Sequence, residues 1–200
     1  TPDLPLQDAL PAHAIDAATT HLRDILAIAL EHGPGQRALV VHDERTPLAR
    51  ALTEGYRRSL GEARFIDFDS ATPEAVLAAF RAMGAKDLVV LVQSTNFRLD
   101  GFRIRVELFK LGLKVIEHVH LSRMPGAQSE HYIEALAYDP AYFRGTGRAL
   151  KRRIDVAPHA RVVGGGETLY VDSPFEPAKL NVGDYSEMNN VGGQFPIGEV

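Results

Sequence analysis

Apolar positions along this chain alternate between two rhythms. Ile15, Ala18, Leu22, Ile25, Leu26, Ala29 and Leu30 recur at helical spacing, and Gly33-Pro34-Gly35 stops them. Ala38-Leu39-Val40-Val41 is apolar without a break and predicts a short buried strand. Thr46-Pro47 predicts a helix start: the hydroxyl can cap, and proline at the first helical position lacks only an N–H that would go unpaired. Leu48, Leu52 and Tyr56 line that helix as far as about Leu60. The theme repeats with a strand over Ala63–Phe68, a second Thr-Pro start at Thr72-Pro73, and a helix lined by Val76, Leu77, Phe80 and Met83. A strand over Asp87–Gln93 follows, containing LVVLV, then a helix over Gly101–Leu111 and a strand over Leu113–Leu121.

This β-α-β-α-β-α-β order, led by a helix, implies an α/β fold with a doubly wound, mostly parallel sheet of Rossmann-like type. The strand order expected is 2-1-3-4. After Arg123 the texture changes. A short helix over 129–138, a helix opening at Asp139-Pro140 and reaching Ile154, and strands near 160–163 and 168–171 suggest the start of a second α+β portion. Beyond Asp172, Pro, Gly and Asn dominate. The expected organisation is an arm and helix over 1–35, a parallel-sheet domain over 36–125, and helices with a β segment over 126–200.

Composition narrows the class. Among 200 residues, Lys plus Arg is 22 and Asp plus Glu is 26, giving a net charge of −4, so nucleic acid is not an expected partner. The chain has no cysteine, which removes disulfides, thiolate metal sites and cysteine nucleophiles. No apolar run approaches the roughly 20 residues of a membrane span, and no membrane partner is expected. The first residues lack a basic start and a long apolar stretch, so no signal peptide is visible and a cytoplasmic location is the default.

In open α/β sheets, ligands sit outside the carboxyl ends of the strands. Those ends carry His42, Asp43 and Glu44; Asp67 and Asp69; Gln93, Ser94, Thr95 and Asn96; and His118 and His120. His118 and His120 form the sharpest pair. At i and i+2 on a strand they would share a face, where two imidazoles could hold a metal or one could act as a general base. They are the candidate catalytic residues. The glycines are less promising. Gly145-Thr146-Gly147 has Leu150 at the third glycine position and no preceding strand, so it does not fit a dinucleotide fingerprint. Gly164-Gly165-Gly166 reads as a tight turn. Arg144, Arg148, Lys151, Arg152 and Arg153 occupy several faces of one helix and read as a solvated surface.

The final third carries a resemblance. The stretch from Ala141 to Ser173, with Gly166-Glu167-Thr168-Leu169 in place of a Gly-Thr-Asp-Leu-like segment, and the terminal Pro196-Ile197-Gly198-Glu199-Val200, resemble the thermophilic metallo-aminopeptidase family. They also resemble its relatives, the iron-dependent dihydroxypyridine ring-cleaving dioxygenases. The resemblance implies that Glu199 is one ligand of a two-metal centre of Zn, Co or Mn, whose remaining ligands lie in a C-terminal domain beyond Val200. A homodimer and a peptide or small-molecule substrate are implied for such a parent enzyme. The dioxygenase alternative implies Fe(II) and an aromatic substrate. On either branch these 200 residues alone are expected to bind no metal tightly and to act as a cleft wall. A third alternative is a noncatalytic ligand-binding or dimerisation module.

Overall fold

The structure is a computed structural model that describes residues 9–99, 102–104, 108, 111–185 and 191–200. Helix α1 (Ala12–Asp24) continues into one π-helical turn, Ile25–Ala29, in which Leu30 N–H reaches the Ile25 carbonyl at 3.2 Å. Strand β1 (Ala38–His42), α2 (Pro47–Ser59), β2 (Arg64–Asp67), α3 (Pro73–Arg81) and β3 (Leu88–Val92) follow the expected alternation. Both Thr-Pro starts are capped as anticipated. Thr46 Oγ1 accepts from Ala49 N–H and Thr72 Oγ1 from Ala75 N–H, each at 3.2 Å.

The helix expected over Gly101–Leu111 falls in large part outside the described residues. Its opening is instead extended: β4 (Arg98–Leu99) pairs antiparallel with β5 (Phe102–Arg103). Ile104 and Leu108 are buried, while 101, 105–107 and 109–110, Val106 and Phe109 among them, lie outside the described residues. Next come β6 (Lys114–His118), α4 (Ala127–Glu134), α5 (Pro140–Ile154), β7 (Ala160–Gly164), β8 (Glu167–Val171) and β9 (Val191–Gln194).

The main sheet has five parallel strands in the order β2-β1-β3-β6-β9. The first four match the order expected from sequence. The fifth was not anticipated, because Val191-Gly192-Gly193-Gln194 has little strand propensity. Gly193 packs closely there, since a Cβ would lie 3.0 Å from the Tyr185 hydroxyl and 3.1 Å from the Phe195 ring.

Alternation along the strands sets two buried faces. Leu39, Val41, Val89, Leu91 and Val115 pack with Val76, Ala79 and Phe80 of α3. Val40, Val90 and Ile116 point the other way and are equally buried; His118 follows on that face, where Tyr56 of α2 meets it. Helices on both faces explain why LVVLV runs apolar without a break.

The chain forms two compact units. One takes in Thr1–Tyr138 with Tyr185–Pro196, and the other Asp139–Asp184 with Ile197–Val200. This division runs differently from the segments 1–35, 36–125 and 126–200, because α4 and β9 both belong with the sheet. In the smaller unit, α5 is stapled to the segment that follows the hairpin. Arg144 donates to the Gly183 carbonyl (3.0 Å), Arg148 to Asp184 (2.8 Å) and Lys151 to the Ala178 carbonyl (2.6 Å). The basic stretch is therefore partly paired, with Arg152 and Arg153 left exposed. β7 and β8 form an antiparallel hairpin that turns through Gly165 (φ +59°) and Gly166 (φ +83°), the tight turn expected of those glycines.

Candidate functional site

His118 ends β6 with no solvent exposure. Its Nε2 lies 2.8 Å from the Tyr56 hydroxyl and its Nδ1 2.9 Å from the Tyr132 hydroxyl. Tyr132 in turn donates to the Phe195 carbonyl at 2.6 Å. That last bond fixes the proton order. Tyr132 has spent its hydrogen, so its oxygen accepts from Nδ1–H, and Nε2 must accept from Tyr56. Burial drives the imidazole pKa down to about 3, so the ring is neutral. Burial also pushes both tyrosine hydroxyls upward, so they stay protonated. Neither ring nitrogen of His118 has a lone pair left for a metal or a substrate proton.

The expected pairing of His118 with His120 is not formed. β6 stops at His118, and His120 turns back through the left-handed region (φ +57°), so the two-residue strand period no longer applies. His120 instead joins Glu117 along a cavity.

The crevice between β1 and β3, where strand order reverses, is the expected ligand position. Here it is laced by internal bonds. The Asp43 carboxylate, fully buried, accepts from Ser94 N–H (2.8 Å), Ser94 Oγ (2.5 Å) and Arg45 N–H (3.2 Å). Thr46 Oγ1 sits 3.1 Å from Ser94 Oγ, and Arg45 pairs with Asp69 and reaches Thr95. His42 is buried on the α2 side; burial, then the nearby Arg57 charge, lower its pKa. Of the polar set read at the strand ends, Asp43, Asp69, Ser94 and Thr95 thus hold together the loops that follow β1, β2 and β3.

A cavity of about 280 Å³ opens one strand further along. Its floor is a row of register partners on three adjacent strands: Leu91 of β3, Glu117 of β6 and Gln194 of β9. Gln93, Asn96, Arg98, Val119 and His120 ring it, with Phe97 and Ile104 adding apolar wall. Gln93 is 3% exposed. Its Oε1 accepts from Phe97 N–H at 2.8 Å, and its Nε2 has no partner. Gln194 could not be found from sequence, because nothing in Val191–Gln194 signals a strand. Tyr56 was legible only as a core residue, and no local signal pairs Tyr132 with His118.

Glu199 lies in the smaller unit and is exposed. Its backbone forms an antiparallel bridge with Asn181, and its Oε2 is 3.4 Å from Asn181 Nδ2. Among the described residues, no three His, Asp or Glu side chains converge closely enough to hold an ion.

The larger unit is a doubly wound α/β domain of Rossmann-like type, with a polar cavity at the carboxyl ends of β3 and β6. Comparison with protein-family models, curated proteins and solved structures finds no match. No helix is long and apolar enough to cross a membrane among the described residues.

Proposed function

We propose that this chain is the sheet-bearing part of a metal-dependent aminopeptidase-like hydrolase, forming a cleft wall and presenting Glu199 as one metal ligand. The reading rests on the Pro196–Val200 motif and the way its backbone is held. Asn181 N–H donates to the Glu199 carbonyl (3.0 Å), and Gly198 and Glu199 N–H donate to the Asn181 carbonyl (3.1 and 3.2 Å). Gly198 sits at φ +130°, where an added Cβ would also approach the Phe143 ring at 3.4 Å. Glycine before the glutamate is thus a backbone requirement, and it leaves the Glu199 carboxylate outside the packed core. With no converging ligand set among the described residues, the chain by itself is inactive in this reading.

The test is release of N-terminal residues from a panel of aminoacyl substrates by the protein in its natural full length, with Zn²⁺, Co²⁺ or Mn²⁺ added. Metal-dependent release that Glu199→Gln abolishes supports the reading. Silence across the panel overturns it, and Fe(II)-dependent oxygen uptake with a dihydroxypyridine would replace it with the ring-cleaving alternative.

A further inference from the structure

We propose that the cavity over Leu91, Glu117 and Gln194 is a binding site for a small monocarboxylate with an apolar body. Three observations converge on it. The first is position: the cavity lies at the carboxyl ends of parallel strands, where open α/β sheets bind ligands. Its volume of about 280 Å³ lies just below the roughly 300–1,000 Å³ range of ligand pockets.

The second is an unmet donor. Gln93 is almost wholly buried, and Phe97 N–H fixes its amide orientation by donating to Oε1. Nε2 is the end left over, and a buried amide N–H₂ without an acceptor is destabilising. Native proteins rarely leave such a group unmet. The third is backbone strain at the same wall. His120 holds φ +57° without being glycine, and conformations of this kind concentrate at functional sites.

The lining selects the ligand. Arg98 is exposed at the rim and makes no ion pair among the described residues. Together with Gln93, Asn96 and Gln194 it offers hydrogen-bond donors and one positive charge. Leu91, Phe97, Ile104 and Val119 offer an apolar surface for the ligand body. Glu117 brings a carboxylate to the floor, which disfavours a dianion such as phosphate. A single carboxylate on a compact hydrocarbon or aromatic body satisfies this set. The proposal concerns the larger unit alone and does not depend on Glu199.

The experiment is a titration of the 200-residue chain with benzoate, isobutyrate, benzamide and inorganic phosphate. It is read by calorimetry and by the Gln93 side-chain amide resonances. Benzoate or isobutyrate should shift those resonances saturably, and phosphate should not. Arg98→Ala, a change at an exposed position, should weaken carboxylate binding at least tenfold, and Gln93→Leu should do the same. Glu199→Gln should leave binding unchanged, which separates this site from the proposed hydrolase role. No shift with either carboxylate means that the cavity holds water only and overturns the proposal. Benzamide binding as tightly as benzoate, or binding indifferent to Arg98→Ala, also overturns it.

Discussion

Tyr56 and His118 stand 62 residues apart in the chain, yet the tyrosine hydroxyl donates to the imidazole Nε2 at 2.8 Å inside the core. The bond joins α2 to the end of β6. Through Tyr132 and the Phe195 carbonyl, the same line of donors and acceptors reaches the residue that follows β9. The four groups form one fully satisfied buried chain, and its satisfaction accounts for a histidine at a strand end without invoking chemistry.

Acid should expose this arrangement. Unfolded, the His118 imidazole takes up a proton below its ordinary pKa of about 6.5. Folded, it resists protonation down to about 3. Between those values the unfolded state binds more protons, so stability falls as the pH drops through that window. This side chain alone should lower the folded-to-unfolded ratio by up to about tenfold per pH unit. Urea unfolding between pH 7 and 4 should show that slope, and His118→Gln should reduce it. A His118 ring resonance that titrates near pH 6 in the folded protein would contradict the burial.

Removing either hydroxyl should cost stability unequally. Tyr56→Phe leaves one acceptor, Nε2, unmet, with an expected loss of about 1 kcal/mol. Tyr132→Phe strands both the His118 Nδ1–H and the Phe195 carbonyl, so a loss nearer 3 kcal/mol is expected. Paired denaturation curves decide it, and equal losses would count against the assigned proton order.

Asp43 should be among the least replaceable polar residues. Its carboxylate accepts from the Ser94 N–H and from the Ser94 hydroxyl and ties the loop after β1 to the loop after β3. Asp43→Ala should destabilise by about 3 kcal/mol, because it leaves the buried Ser94 N–H and the Arg45 N–H without their acceptor. Ser94→Ala, which keeps the N–H bond, should cost about 1 kcal/mol. Chemical denaturation of the two variants measures the difference.

Gly147 on α5 packs where a Cβ would meet Val182 Cγ1 at 2.5 Å. Alanine is worth about 1 kcal/mol over glycine within a helix. That gain should be outweighed by overpacking, which typically costs 1–3 kcal/mol. Gly147→Ala should therefore lower the melting temperature, and adding Val182→Ala should restore it. A stabilised single variant would show that the contact yields freely.

The amino-acid order alone determined the α/β class, the Thr-Pro helix starts and the parallel pairing of the first four strands. Those features follow from local rules: capping chemistry, the 3.6 and 2.0 periods, and the chirality of crossovers. The tertiary structure decided what periodicity cannot encode. It recruited Val191–Gln194 as a fifth strand, where Gly193 packs against Tyr185 and no propensity signal exists. It separated His118 from His120 by ending β6 between them, so that one imidazole is spent in the core and the other lines a cavity. It placed Gln93, Glu117 and Gln194 side by side although they come from distant parts of the chain. Such groupings depend on register and on where each strand stops, and those are set by the packing of the whole sheet.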